Sequence, residues 1–223
     1  MKIVAIKRYT ASFDVDPQCG FSELCPQELP VPGALDIIPE MNANAELARL
    51  RVASKDAHSP GAVWVADSEH PQFSPVGLPN SDIHWNRHCE VGTPGFEFLP
   101  GLPDPIDYSF IAYKGIEKDM HPYGACYHDL LNTRSTGVIE YLKMHDIRTV
   151  IVGGLALDYC VKTTALQLKA ALFNVIVNLA STRAIGDPEA TIKELRDHEI
   201  WVVKSAQDIT DIVKAGIRDD FEE

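Results

Sequence analysis

The feature that most constrains the fold is an apolar run that ends in two glycines and leads into a helical pattern. The run covers residues 149–152, Gly153 and Gly154 follow it, and residues 158–172 carry apolar side chains at helical spacing. A strand that ends at glycines and turns into a helix places its loop at the carboxyl edge of a sheet, where open α/β proteins bind ligands. We therefore expect a parallel sheet with helices packed on it.

The same alternation recurs along the chain. Apolar runs predict strands at residues 11–15, 51–55, 108–113, 148–152, 174–178 and 200–203, and helical periodicity predicts helices at 37–50, 137–145, 158–172 and 188–198. The 223 residues fit one α/β domain over residues 1–223, a doubly wound parallel sheet flanked by helices. The segment 60–107 is long and dense in Pro, Gly and His, and we expect an irregular wall of a pocket or metal site there.

Composition excludes several classes of partner. The formal net charge of -12 argues against nucleic acid and against anionic membrane surfaces, because affinity for both comes from Lys and Arg. No stretch is apolar and long enough to span a bilayer, and the apolar run after Met1 is too short for a signal peptide. Five cysteines at irregular spacing predict a reduced, cytoplasmic chain. This composition is compatible with a monomer and with a homo-oligomer.

Three polar residues at predicted strand ends suit nucleophilic catalysis. Cys160 lies where a helix begins, so aligned backbone N–H groups favour its thiolate and can hold an oxyanion. Asp16, if its pKa is raised by burial, can act as a base, and Lys114 can stabilise the anions. Taken singly, the cysteine would be interpreted as a small core residue, the aspartate as a turn residue and the lysine as a surface residue. Lys118 is the next candidate for the catalytic lysine.

A second group of residues suits a metal ion and a flat ring. Asp56 and His58 follow a predicted strand, and His88 comes later. One carboxylate with two imidazoles can bind Zn²⁺, Fe²⁺ or Mn²⁺ and leave coordination positions open. Phe21 and Trp85 flank these residues in sequence and are candidates to sandwich an aromatic ring. The competing interpretation is that the histidines are polar loop residues and that the two aromatic residues pack in the core.

Five segments, in this order, resemble the nicotinamidase branch of the isochorismatase-like cysteine hydrolases. They are residues 16–21 (D-P-Q-C-G-F), 55–58 (K-D-A-H), 85–95 (W-N-R-H-C-E-V-G-T-P-G), 114–115 (K-G) and 153–161 (G-G-L-A-L-D-Y-C-V). The resemblance covers nearly the whole chain. It implies that the chain hydrolyses nicotinamide to nicotinate and ammonia through a cysteine thioester in NAD salvage, and that it also deamidates pyrazinamide.

The resemblance also implies a role for each site residue. The catalytic residues are Asp16, Lys114 and Cys160, and an oxyanion hole is formed by Ala156 and Cys160 beside a cis Leu155–Ala156 peptide. One divalent ion is bound by Asp56, His58 and His88 and coordinates the pyridine nitrogen. The residues implied to contact the substrate are Phe21, Trp85, Tyr123, Leu155 and Tyr159.

Two questions stay open at this point. A fourth protein ligand of the metal is Ser59, Asp67, Glu69 or His70, or is absent, since residues 62–70 do not align with the family and residues 67–70 (D-S-E-H) imitate a second metal motif. The alternative functions are a related amidase for carbamoyl or maleamate-type acids, and a non-catalytic metal-binding protein. An acidic substrate calls for an arginine in the pocket, for which Arg87 is the main candidate.

Overall fold

A computed structural model describes residues 6–211. The predicted single domain over residues 1–223 extends beyond the described residues at both ends, and it stays a prediction. The start of the apolar run after Met1 also lies outside the described residues. The strands are β1 (Thr10–Val15), β2 (Leu50–Asp56), β3 (Pro75–Leu78), β4 (Ser81–Ile83), β5 (Phe110–Lys114), β6 (Thr149–Leu155), β7 (Asn174–Arg183) and β8 (Trp201–Val203). The α-helices include α1 (Ile38–Glu46), α2 (Val138–Met144), α3 (Lys162–Ala170) and α4 (Pro188–Asp197), and residues 206–211 are helical as well.

Six strands form one parallel sheet in the order β5-β2-β1-β6-β7-β8. The chain moves from β1 outward through β2 to β5, returns to β6 beside β1, and then moves the other way to β8. The strand order therefore reverses between β1 and β6, and a crevice for ligands opens at the carboxyl ends of such strands. The predicted α/β fold, a doubly wound parallel sheet flanked by helices, is confirmed.

The alternation of side chains along each strand supplies the two faces of the sheet with apolar residues. Phe13 of β1 and Val152 of β6 belong to the largest apolar cluster, which includes residues of α2, α3 and α4. Ile151 and Ile176 belong to a separate cluster against which Leu47, just after α1, packs. Neighbouring residues of β6 thus serve different clusters, which is what a sheet covered on both faces requires.

Sheet pairing explains where the predicted elements were wrong in length. The helix predicted over 37–50 ends at Glu46, because Leu50 pairs with Ala11 and begins β2. The strand predicted over 174–178 continues to Arg183, which pairs with Leu155 after a shift in register. The segment predicted as irregular, 60–107, contains the antiparallel pair β3 and β4 between its loops.

Two predictions from composition bear on the described residues. All five cysteines are unpaired and buried. Within residues 6–211, the structure has no helix with the length and apolar character that a membrane span requires.

Candidate active site

The carboxyl ends of four adjacent strands bring four polar residues together. Asp16 follows β1, Asp56 ends β2, Lys114 ends β5, and Cys160 follows β6. Asp56 and Lys114 are direct partners in the register of β2 and β5. The structure brings these four residues together, as their places at the ends of predicted strands indicated.

A glycine is required where β6 approaches β1 at this edge. Gly154 has φ of 122°, and a Cβ atom there would lie 1.9 Å from the carbonyl oxygen of Val15. Only glycine accepts both the positive φ and the close approach without strain. The second glycine of the motif therefore allows the loop that carries Cys160 to lie beside Asp16.

Lys114 is the centre of the catalytic group. Its Nζ lies 3.0 Å from Asp16 Oδ2 and 3.7 Å from Cys160 Sγ, donates a hydrogen bond to Asp56 Oδ1, and donates another of 3.1 Å to the carbonyl of Pro122. The side chain is completely buried, as is that of Asp16. A buried ammonium is stable only when paired in this way, so the lysine is bound to the site by charge.

The pKa values in this group differ from what the helix start alone predicts. Burial, opposed by the ammonium of Lys114, raises the pKa of Asp16 to about 6. Burial also raises the pKa of the Cys160 thiol well above its usual range, because Lys114 lowers it less than burial and the carboxylates of Asp16 and Asp56 raise it. Burial thus outweighs the lowering of this pKa that the sequence predicts, and the site pairs the thiol with a carboxylate that can accept its proton.

The loop that carries Cys160 is a single turn of π-helix, Leu157–Val161, which runs into α3. The carboxylate of Asp158 accepts hydrogen bonds from the backbone N–H of Ile185 (3.0 Å) and of Gly186 (2.7 Å), which ties this turn to the segment after β7. The Leu155–Ala156 peptide is cis, as the family resemblance implied.

Gln18 is a positioning residue to which the sequence analysis gave no role. Its amide Nε2 donates to the carbonyl of Asp56 (2.9 Å), and the backbone N–H of Asp56 donates to Gln18 Oε1 (2.7 Å). Two hydrogen bonds from one buried side chain thus fix the end of β2. The signal was present in the motif at residues 16–21 (D-P-Q-C-G-F), where this glutamine is the third residue.

Three histidines lie beside the catalytic group, and His121 is the one that sequence reasoning missed. His58, His88 and His121 each offer a ring nitrogen within 4.8 Å of the others, and all three are buried. His58 Nδ1 is 3.2 Å from the carbonyl oxygen of Gly115, and His88 Nδ1 is 2.6 Å from that of Asn86. These carbonyls accept the Nδ1 proton and leave Nε2 as the ligand atom, the usual arrangement at a metal site.

The predicted carboxylate ligand faces the same point. Asp56 Oδ2 is 3.6 Å from His58 Nε2 and 3.9 Å from His88 Nε2. Burial lowers the pKa of His88 to about 3, so its ring is neutral, which is the form that binds a metal. A divalent ion fits this set, because His58 Nε2 is buried with no hydrogen-bond partner among the described residues, a costly state unless a ligand occupies it.

The fourth-ligand candidates named from sequence lie in local turns of their own. Ser59 Oγ accepts from the N–H of Gly61, and Asp67 Oδ1 accepts from the N–H groups of Glu69 and His70 in an exposed turn. His121 instead follows β5, only two residues before the tyrosine that the resemblance had already linked to the pocket. That proximity was the available signal.

A cleft of about 270 Å³ opens over the cysteine and the histidines. Of the five predicted substrate contacts, Leu155 does not line it, because the side chain is completely buried in an apolar cluster. Sequence reasoning missed Leu29 and Ile185. The residues that line the cleft are Phe21, Leu29, Asp56, Trp85, His88, His121, Tyr123, Ala156, Tyr159, Cys160 and Ile185.

Aromatic side chains hold one another in place around this cleft. Trp85 Nε1 donates to the hydroxyl of Tyr123 (3.2 Å), which donates in turn to Asp82 Oδ1 (2.8 Å). The rings of Trp85 and Tyr159 meet edge to face with centroids 4.8 Å apart. The walls are therefore apolar and rigid, which suits a small flat ligand.

The comparison with known families decides the relationship. Residues 15–207 match the isochorismatase domain. The chain belongs to the isochorismatase family. This match includes all four strand ends and the histidines, so the recognised family and the fold predicted from the motifs are confirmed.

Relatives within the isochorismatase family point to one branch. A nicotinamidase of Acinetobacter baylyi is 32% identical over 174 residues, which are 77% of this chain and 79% of that protein. An Acinetobacter baumanii nicotinamidase and pyrazinamidase superposes with a TM-score of 0.82 at 28% identity, covering 91% of this chain and 98% of that one. A pyrazinamidase of Pyrococcus horikoshii in complex with zinc has a TM-score of 0.68 at 27% identity, covering 87% and 98%. The prediction of an amidohydrolase that acts on a non-peptide carbon–nitrogen bond is confirmed.

Proposed function

We propose that this isochorismatase-family chain is a metal-dependent nicotinamidase that hydrolyses nicotinamide to nicotinate and ammonia. Pyrazinamide, which carries the same carboxamide on a similar ring, is a second substrate. Release of nicotinate places the enzyme in NAD salvage, and we place it in the cytoplasm. The observation that carries this proposal is the contact of Asp16, Lys114 and Cys160 at a small aromatic cleft that also exposes metal-ligand atoms.

The first half of the reaction forms a thioester. Asp16, whose pKa of about 6 leaves it ionised at neutral pH, accepts the thiol proton of Cys160 as the sulfur attacks the carboxamide carbon. The backbone N–H groups of Ala156 and Cys160 stabilise the oxyanion. Asp16 then gives the proton to the amide nitrogen, and ammonia leaves as the carbon–nitrogen bond breaks.

The second half releases the acid. Asp16 accepts a proton from water as the water oxygen attacks the thioester carbon, and the proton returns to the sulfur of Cys160 as nicotinate leaves. Lys114 supports both halves by holding the carboxylate of Asp16 in place with its charge. Each proton that the aspartate accepts is passed on, so the site returns to its starting state.

The metal is the part of the site that orients the ring. The residues that would hold one divalent ion are Asp56, His58 and His88, and the ion, when bound, supplies a coordination position for the pyridine nitrogen. Phe21 and Trp85 line the same cleft and offer apolar faces to the ring. The donor set suits Zn²⁺, Fe²⁺ and Mn²⁺.

The lining of the cleft favours a neutral aromatic amide over an acidic one. Arg87, the candidate for binding a second carboxylate, is half-exposed, pairs with Glu90, and donates to the carbonyl of Pro60 (3.1 Å). Among the described residues, the lining of the cleft includes no arginine or lysine. The second carboxylate of a carbamoyl or maleamate-type acid would therefore find no cationic side chain in the lining of this cleft.

Ammonia release tests the proposal. Metal-loaded protein should release one ammonia per nicotinamide consumed, and Cys160→Ala should abolish turnover while the protein stays folded. Cys25→Ala is the matched control, since that cysteine is also buried but does not line the cleft, and it should keep full activity. Wild-type protein that carries metal and releases no ammonia from nicotinamide would end the proposal.

A further inference from the structure

We propose that His121 is a fourth protein ligand of the metal ion, so that three imidazoles and one carboxylate bind it. The inference deepens the metal site of the proposed function and rests on it. It assigns a ligand to a loop that follows β5, away from the segments at residues 55–58 and 85–95 that carry the other ligands.

The ring of His121 is buried and has no polar partner. Only 3% of the residue is exposed. Neither Nδ1 nor Nε2 has a hydrogen-bond partner among residues 6–211, whereas His58 and His88 each satisfy one nitrogen with a carbonyl. Leaving two buried ring nitrogens unpaired costs stability, because each has lost its hydrogen bonds to water without gaining a partner in the protein. A metal ion removes that cost for the nitrogen that binds it.

The position of this ring is fixed on all sides. Its plane lies 18° from that of His58 with centroids 5.1 Å apart, and it meets Trp64 edge to face at 4.5 Å. The backbone N–H of His121 donates to the carbonyl of Asn80 (2.7 Å), and the carbonyl of Pro122 accepts from Lys114. The loop is thus anchored on both sides of the ring, and a nitrogen of the ring lies within 4.8 Å of a ring nitrogen of His58 and of one of His88.

An ordinary packed histidine explains these contacts less well. His84 shows the difference, because it is equally enclosed but its Nδ1 lies 3.2 Å from the carbonyl oxygen of Trp64. A core histidine finds such a partner, whereas His121 lies among ligand atoms and lacks one.

Four protein ligands change what the ion can accept. They complete a tetrahedral shell, so a pyridine nitrogen can add only if the ion expands to five or six ligands. The bound ion should therefore have an expanded shell when substrate is present.

X-ray absorption at the zinc edge measures the number of imidazoles directly. The purified wild-type chain, loaded with Zn²⁺ alone, should show three imidazoles, and His121→Phe should show two. The phenylalanine keeps the ring that packs between His58 and Trp64, so the fold is preserved while both nitrogens are removed. His84→Phe is the matched control for a buried histidine and should keep three. His70→Ala, one of the candidates named from sequence, should keep three as well.

Affinity for Zn²⁺, measured by competition with a chelator, gives a second readout. It should fall at least ~10–100-fold in His121→Phe, since loss of even a hydrogen bond behind a ligand costs that much. It should stay within about twofold in both control variants. If His121→Phe keeps the wild-type affinity, or if the wild type shows two imidazoles, the inference is overturned. Should the variant not fold, the wild-type count decides alone.

The failure of this inference differs from failure of the proposed function. A wild-type chain that shows three imidazoles but releases no ammonia from nicotinamide supports His121 as a ligand and refutes the nicotinamidase. A chain that releases ammonia with two imidazoles at its metal overturns the fourth ligand and leaves the enzyme intact.

Discussion

The two halves of the site are built in different ways. The catalytic half, Asp16, Lys114 and Cys160, is held together by its own charges and rests on the ends of sheet strands. The metal half consists of histidines on loops, and several of their ring nitrogens have no partner among the described residues. The first half has its charges paired within the protein, while the second has ring nitrogens that a metal ion would bind.

Asp56 is the residue that joins the two halves. Its Oδ1 accepts from Lys114, and its Oδ2 faces His58 and His88. The Lys114 ammonium and the two imidazoles hold the pKa of this carboxyl well below its usual range against the effect of burial. A change in one half therefore affects the other through the carboxylate of Asp56. The substitutions below test the two halves separately.

The largest effect should come from Lys114→Met. Turnover should fall by about 10³-fold, because the charge that holds Asp16 is lost. The free energy of unfolding should fall by ~3–5 kcal/mol, because two buried carboxylates lose their partner. Steady-state kinetics and denaturant unfolding measure these effects. Lys118→Met, an exposed lysine four residues on, is the control. A well-folded Lys114→Met protein with normal turnover would show that the catalytic lysine lies elsewhere.

A smaller and different effect should follow from His58→Ala. Metal content should fall below one ion per chain, and KM for nicotinamide should rise ~10–100-fold, because the ring loses its coordination position while the catalytic half remains. Elemental analysis measures the metal content and steady-state kinetics measure KM. The control is His145→Ala, at a histidine that directly follows α2. Stoichiometric metal with unchanged KM in His58→Ala would remove this residue from the site.

The acid limb of the pH profile tests the catalytic half. Since Asp16 must be ionised to accept the thiol proton and its pKa is about 6, kcat/KM should fall as pH drops through about 6. Ser54 Oγ donates to Asp16 Oδ1 (2.7 Å) and stabilises the ionised form. Ser54→Ala should therefore move this limb upward, by about 0.4–1.1 pH units for one hydrogen bond.

The control for that shift is Ser12→Ala, a buried serine of β1 whose hydroxyl has no hydrogen-bond partner in the described part of the chain. It should leave the limb where it is. A pH profile that is flat between 5 and 7 in the wild type would mean that Asp16 is not the base.

The smallest effect should come from the wall of the cleft. Tyr123→Phe removes the hydroxyl that links Trp85 to Asp82, and each such hydrogen bond is worth about 0.5–1.5 kcal/mol. KM should rise about 2–10-fold with kcat nearly unchanged, because the ring that receives the substrate is less well positioned. Tyr113→Phe, at an exposed tyrosine, should change neither constant. A large loss of kcat in Tyr123→Phe would instead give its hydroxyl a part in the chemistry.

Much of the catalytic half could be predicted from sequence, because Asp16 and Lys114 lie at the ends of apolar runs and Cys160 lies where the helix after such a run begins. Asp16 and Lys114 are local signals of this kind, and parallel pairing then brings strand ends together without further information. His121 could not be predicted in the same way. It follows β5 by seven residues in a loop without periodicity, and its place depends on contacts with Asn80 and Trp64 from distant parts of the chain.

The sequence alone determined how the six strands of the parallel sheet and the four helices follow one another along the chain. It also determined which strand ends carry polar residues and where glycines let those ends approach. Short-range patterns suffice for these features, since side-chain periodicity and backbone freedom are properties of a few neighbouring residues. Tertiary structure alone decided that burial raises the pKa of the Cys160 thiol, that Leu155 is buried away from the cleft, and that a third imidazole lies beside those of His58 and His88. Burial and the summed charge of neighbours decide such features, and both depend on residues that meet only when the whole sheet has formed.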